Sequence, residues 1–167
     1  EHGIHFQEVP GVTSAIAAPA YGGIPVTHRD FTSSLHIITG HARAGKALDI
    51  DFEALVRTKG TLVFLMGVSS LPAICAGLTA AGMDPDTPAA IVERGTTPGQ
   101  RRVNATAATL AQAAEEHHIE SPAISIFGPV CALADKFDWF DALPLKGRTV
   151  VVTRPKERAG TLAARLR

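Results

Sequence analysis

Thr61-Leu-Val-Phe-Leu-Met66, closed off by Gly60 before it and Gly67 after it, is an unbroken apolar run of strand length. A strand that is wet on one face alternates polar and apolar residues. This one does not, so it reads as covered on both faces, the central strand of a sheet with helices packed above and below.

The segments around it fall into alternating elements. Upstream, Leu35-His-Ile-Ile-Thr39 is a short β-rich run, Gly40 to Asp51 reads as a polar loop, and Asp51 is placed to cap a short helix over Phe52 to Thr58. Downstream, Ser69 or Ser70 caps a helix with Pro72 in its first turn; Leu71, Ile74, Cys75 and Leu78 mark its buried face and Gly82 closes it. Asp84-Pro-Asp-Thr-Pro88 is an aspartate-proline turn rather than a metal site. Strands follow over Ala89 to Glu93 and Gln100 to Thr106, joined by a loop short enough for an antiparallel pair. A helix over Leu110 to His118 and a strand over Ala123 to Phe127 complete the set. The expectation is an α/β fold, a mixed β-sheet flanked by helices.

Further out, Pro10-Gly11 is a turn, and Thr13 or Ser14 can cap a short helix marked by Ile16, Ala17, Ala20 and Tyr21. Pro19 falls in its last turn, Gly22-Gly23 ends it, and Ile24-Pro25-Val26 leads out extended. At the other end, Leu133 to Phe140 reads as an amphipathic segment. Leu145 to Pro155 reads as a basic turn, a buried strand and a proline stop, with a helix over Glu157 to Arg167.

Composition narrows the function. The 167 residues are 46% hydrophobic and 19% charged, and sixteen basic residues balance sixteen acidic ones. That excludes the electrostatic footprint of a nucleic-acid or anionic-membrane binder. No apolar run reaches the roughly 18 residues of a membrane helix, and Glu1 to Glu8 lacks the regions of a signal peptide, so a cytoplasmic location is expected. Cys75 and Cys131 read as free and buried, with a disulfide as the alternative. The seven histidines form no metal-ligand pair, and His117-His118 reads as a helix end.

Four stretches, in order, resemble one family: Val9-Pro-Gly-Val-Thr-Ser-Ala15 with Gly23-Ile-Pro-Val-Thr-His-Arg29; Thr61-Leu-Val-Phe-Leu-Met-Gly-Val68; Val92-Glu-Arg-Gly-Thr96 with Gln100-Arg101; and Ser121-Pro-Ala-Ile-Ser-Ile-Phe-Gly128. They look like the tetrapyrrole methylases that use S-adenosylmethionine, and over residues 4 to 140 they resemble the C-terminal domain of that fold. Within the family, Gly23 to Arg29 favours the enzymes that methylate uroporphyrinogen III to precorrin-2, on the way to siroheme and cobalamin. Another corrin-pathway methylase is the near alternative, and a non-catalytic dimerisation module from a truncated gene the distant one.

The resemblance implies S-adenosylmethionine as methyl donor, with S-adenosylhomocysteine as product, and no metal. Thr13, Ser14, Met66 and Gly95 match positions that touch the cofactor, and Ala123 is placed near the adenine by analogy. From the residues alone, Met66 reads as a core gap-filler and Gly95 as a turn residue. Arg29 and Arg101 suit the carboxylates of a tetrapyrrole; the alternative for each is an exposed arginine without a ligand. The family's glycine-rich loop, its Asp-Pro pair and the groups nearest the reacting carbon belong to an N-terminal domain, so the catalytic residues are unknown here. The chain is expected to hold half of a site at a domain interface, and to form a homodimer. Residues 1–143 read as this domain. Residues 144–167 resemble the first strand and helix of a uroporphyrinogen-III synthase, with an added strand and helix of the same domain as the alternative.

Overall fold

Hydrophobic spacing becomes architecture through five strands and the helices that bury them. The computed structural model describes residues 3–5, 7–41, 48–153 and 155–166. Its elements are α1 (Ser14–Tyr21), β1 (Leu35–Thr39), α2 (Phe52–Thr58), β2 (Thr61–Leu65), α3 (Leu71–Ala80), β3 (Pro88–Glu93), β4 (Arg101–Thr106), α4 (Leu110–Glu116), β5 (Ala123–Phe127), a 3₁₀ turn (Pro129–Leu133) and α5 (Lys156–Arg165). Of the expected loop over Gly40 to Asp51, residues 42–47 lie outside the described residues, as do residues 1, 2 and 6 of the stretch Glu1 to Glu8.

The strands form one mixed sheet in the order β1-β2-β5-β3-β4. β1 and β2 are parallel, and the other three pairings are antiparallel. The expected antiparallel link of β3 to β4 is present, Ala89 facing Ala105 and Glu93 facing Arg101. One expectation is corrected. β2 is an interior strand, buried from Thr61 to Phe64, but the middle of the sheet is β5, all five residues of which are buried. The chain reaches that slot last, by returning antiparallel between β2 and β3, and no periodicity in Thr61–Met66 records it.

Alternate residues of each strand feed two cores, as the two-residue period of a strand requires. Leu62, Phe64, Ala89, Ile91 and Phe127 pack under α3 and α4, with α2 against their edge. Phe64 and Phe127 meet edge to face, their centroids 5.6 Å apart. Val63, Ala90, Val92, Ile124 and Ile126 pack on the opposite face against α1 and the 3₁₀ turn. Each fully buried side chain of this kind contributes ~1.5–3 kcal/mol by leaving water. The predicted buried face of α3, Leu71, Ile74, Cys75 and Leu78, is the observed one.

The C-terminal elements differ from their expectation. The segment over Leu133 to Phe140, read as amphipathic, continues past the 3₁₀ turn as turns and irregular chain. Its polar groups are drawn to other elements: Arg102 bonds the Ala134 carbonyl, Asp135 and Asp138, and the Trp139 indole donates to the Ala20 carbonyl. The expected buried strand near Thr149 to Thr153 does not form; Val150 and Val151 are 49% and 78% exposed. A strand needs a neighbour to satisfy its backbone, and among the described residues this one pairs with none. α5 follows as a short helix, beginning one residue earlier than expected.

Candidate ligand cavity

Strand direction decides where a site can form. β1, β2 and β3 point one way, and β5, between β2 and β3, points the other. The carboxyl ends of β2 and β3 and the amino end of β5 therefore meet along one border of the sheet, the place where open sheets bind ligands. A cavity of about 1050 Å³ lies there. Leu65 ends β2 and Met66 follows it, Val92 comes from β3 and Arg94 and Gly95 from the loop after it, Ser121 and Pro122 lead into Ala123 and Ile124 of β5, and Ser14 and Ala18 come from one face of α1. Val68, Ser69, Thr97 and His41 close the lining. The walls are largely apolar, with hydroxyls of Ser14, Ser69, Thr97 and Ser121 spaced among them.

Four of the five residues singled out for a cofactor line this one cavity: Ser14, Met66, Gly95 and Ala123. Thr13 stands beside them as the N-cap of α1, its hydroxyl accepting from the Ala15 N–H at 3.3 Å. Met66 is 64% exposed, which removes the core-filling alternative. Its backbone is left-handed, φ 56°, a conformation that costs a non-glycine residue of order 1 kcal/mol or more and recurs at ligand sites. Arg94 and Thr96, on the loop after β3, are left-handed too, at φ 48° and 69°.

Gly95 has a cause of its own. A Cβ built there would stand 2.5 Å from the Cβ of Ala18 and 3.0 Å from its Cα. The glycine lets the loop after β3 press against α1, and the two elements then share the cavity wall.

Neither arginine chosen for substrate contact lines the cavity. Arg29 is exposed in a turn bracketed by the bridge of His28 with Thr32. Arg101 is tied down. Its Nε meets the buried Glu93 carboxylate at 2.5 Å, and its other nitrogens donate to the His117 and His118 carbonyls at the end of α4. That bond from Arg101 holds the Glu93 carboxyl below the usual carboxylate range, overcoming the burial that pushes it up, with help from the Glu120 N–H. Arg102 is bonded to the Gly22 and Ala134 carbonyls and to Asp135.

Gln100 went unread in the sequence except as part of a motif, yet it fixes the loop after β3. It is buried, accepts from the Thr96 N–H at 2.8 Å and donates to the Tyr21 carbonyl at 2.9 Å. Ser69 was read as a possible cap. Ser70 holds the N-cap position of α3, without a side-chain bond, and Ser69 faces the cavity. Ser121 and Arg94 were inside quoted motifs, but nothing in their spacing marked them as lining residues. Among the described residues, no group of three or more His, Cys, Asp or Glu could hold a metal ion.

Comparison with known proteins gives a consistent picture. Residues 1–111 match the family described as tetrapyrrole (corrin/porphyrin) methylases. Over 167 residues the chain is 59% identical to the porphyrin biosynthesis protein HemD of Ruminiclostridium josui, covering all of this chain and 33% of that protein. It is 44% identical to the uroporphyrinogen-III C-methyltransferase of Bacillus subtilis, again over all of this chain and 35% of the relative. Identity to the siroheme synthase of Pseudomonas fluorescens is 45% over 140 residues, 84% of this chain and 30% of that one. The chain thus spans about a third of the length of the curated relatives it matches. Among solved structures, the uroporphyrin-III C-methyl transferase of Thermus thermophilus complexed with S-adenosyl homocysteine superposes with a TM-score of 0.66 at 34% identity, covering 79% of this chain and 56% of the other. Cobalt precorrin-4 methyltransferase gives the same TM-score at 25% identity, over 74% of this chain and 52% of the other.

Proposed function

The chain belongs to the tetrapyrrole (corrin/porphyrin) methylases, and we propose that it is the C-terminal, cofactor-holding part of an enzyme that methylates uroporphyrinogen III to precorrin-2. The observation that carries the reading is the convergence of Ser14, Met66, Gly95 and Ala123 on one cavity at the border of the sheet. S-adenosylmethionine supplies a methyl on a sulfonium, activated before it reaches the protein. The cavity suits such a donor: about 1050 Å³, apolar walls for a nucleoside body, and left-handed backbone at Met66 and Arg94 in its lining.

The residues of this chain then have positioning work to do. Methyl transfer would form a carbon–carbon bond, break the donor's carbon–sulfur bond and release a proton from elsewhere on the macrocycle, because every pyrrole carbon of uroporphyrinogen III already carries a substituent. It needs no side-chain nucleophile, but a well-oriented pair of reactants is worth several kcal/mol of barrier. The loop 94–100, held by the close approach of Gly95 to Ala18 and by the bond of Gln100 to Tyr21, is proposed to supply that orientation. Thr13 contributes by holding the start of α1, from which Ser14 faces the cavity.

Arg29 is the proposed contact for a carboxylate of the tetrapyrrole, being exposed and without a side-chain partner among the described residues. Arg101, the other candidate, has its guanidinium engaged by Glu93 and two carbonyls, so its role here is to join β3 and β4 to α4. The remaining wall of the site, the catalytic groups and the glycine-rich loop are assigned to an N-terminal domain outside these residues. Residues 144–167 are proposed to begin a second, uroporphyrinogen-III synthase-like domain. One fact supports that boundary: the last buried residue among those described is Ala134. A cytoplasmic homodimer completes the proposal; no helix among the described residues is long and apolar enough to cross a membrane.

The similarity to cobalt precorrin-4 methyltransferase keeps a second corrin-pathway methylase as the alternative. Titration of the intact protein with S-adenosylhomocysteine tests the cofactor half of the proposal. Binding is expected, weakened about tenfold, ~1.4 kcal/mol, in Met66→Ala, whose exposed side chain can be removed without disturbing the core. Absence of binding in the intact protein sinks the cofactor reading. Product analysis with labelled methyl donor and uroporphyrinogen III then separates the two substrates.

A further inference from the structure

Three arginines sit close together in sequence, and their surroundings differ. Arg101 and Arg102 are consumed by carboxylates and carbonyls of the fold. Arg94 makes no side-chain hydrogen bond or ion pair among the described residues, is exposed, and lines the cavity. Among those residues it is the only lysine or arginine that does. Its backbone is held in place on both sides. The Arg94 N–H donates to the Pro122 carbonyl at 2.8 Å, its φ is +48°, and the next residue is the glycine pressed against Ala18. A non-glycine residue kept in the left-handed region by its neighbours is a mark of a functional constraint. Here the constraint sets a guanidinium at the border of a pocket otherwise built from apolar groups, hydroxyls and the His41 imidazole.

We propose that Arg94 is a specificity residue that binds the carboxylate at the amino-acid end of the adenosyl cofactor; this rests on the cofactor reading of the cavity. A guanidinium recognises carboxylate through two parallel donors. The same charge would repel the cofactor's sulfonium and ammonium. Arg94 therefore orients the ligand, carboxylate toward the loop after β3 and nucleoside into the apolar part of the cavity. A tetrapyrrole carboxylate offers the same chemistry. The cofactor is the better match because Arg94 lines the same cavity as Ser14, Met66 and Gly95, whereas Arg29, the candidate for the tetrapyrrole, does not.

The test compares two ligands in the intact protein. S-adenosylhomocysteine carries the amino-acid end; 5′-methylthioadenosine has the same nucleoside thioether without it. Wild type is expected to bind the first at least tenfold more tightly. Arg94→Ala should lower S-adenosylhomocysteine affinity about tenfold and leave 5′-methylthioadenosine within twofold, and Arg94→Lys should recover part of the difference. Circular dichroism of both variants, and their unchanged 5′-methylthioadenosine affinity, exclude a folding defect. Equal effects of Arg94→Ala on both ligands, or on neither, overturn the assignment while leaving the cofactor reading standing. So does a variant that weakens uroporphyrin III binding alone, which would assign the carboxylate to the tetrapyrrole. If the wild-type protein binds neither nucleoside, the cofactor reading fails and this assignment falls with it.

Discussion

Gly95 shows how a residue picked out by a motif can have a different physical cause from the one the motif suggests. Space for a ligand was the expectation; the structure puts Ala18 of α1 in the direction a side chain would take. Gly95→Ala should therefore destabilise the protein even without ligand, by about 1–3 kcal/mol, as overpacking does. Thermal unfolding of the variant, and of the same variant carrying Ala18→Gly, checks it: the second change should restore part of the loss, because the two sites are in contact. A loss that Ala18→Gly does not touch would mean the loop moves aside. Glu93 gives a prediction in pH. Its carboxyl titrates below the usual range in the fold, so the stability it supplies is fully present above the ordinary carboxylate pKa of ~4.3 and is lost as pH falls through the lowered value. Glu93→Gln should be less stable than wild type at neutral pH. The gap should narrow from about pH 4 downward in chemical-denaturation midpoints, and a gap independent of pH over that range would show that the charge is not what matters. The sequence could not separate Arg101 from Arg102. They are adjacent and alike, and their different fates depend on partners as far away as Gly22 and Asp135.

Most elements were legible because their signals are local. Asp51 caps α2 as its position announced, accepting from the Ala54 N–H at 2.8 Å, so Asp51→Ala should cost ~1 kcal/mol. Equilibrium unfolding measures it, and since the site is exposed, no packing change competes. The limits of β1, α2 and β5 and the buried face of α3 were likewise set by nearby residues, through caps, glycines and apolar runs. The failures share one cause. The run Thr149-Val-Val-Val-Thr153 has the composition of a strand, but a strand is a pairing, and its composition does not say whether a partner is present. The segment after Leu133 read only as amphipathic, because its course is set by distant partners: Arg102, Ala20 and Tyr21 hold its polar and aromatic groups. Strand order was hidden for the same reason, since β5 enters the sheet between β2 and β3 by contacts that no local pattern carries.

At the scale of the molecule, the cavity itself bears on what these residues can do alone. Its walls come from one border of a single sheet and one face of α1, and Met66, on its rim, is 64% exposed. A site that excludes water would cover such a side chain. Val9 and Val12, just before α1, are 84% and 82% exposed, so the approach to this border is also apolar and uncovered. Under the proposed function, that border awaits a second wall. Methyl transfer needs donor and acceptor at near-attack distance, and misplacement by ~1 Å can cost about 100-fold. These 167 residues by themselves are therefore expected to show no measurable transfer of labelled methyl to uroporphyrinogen III, while a longer chain carrying the upstream domain turns over. Weak retention of S-adenosylhomocysteine by the shorter chain is compatible with this, because the backbone around Met66 and the loop after β3 are built without the upstream part. Turnover by the 167 residues comparable to that of the longer chain would place the whole reaction on this one sheet border and remove the two-walled site from the argument.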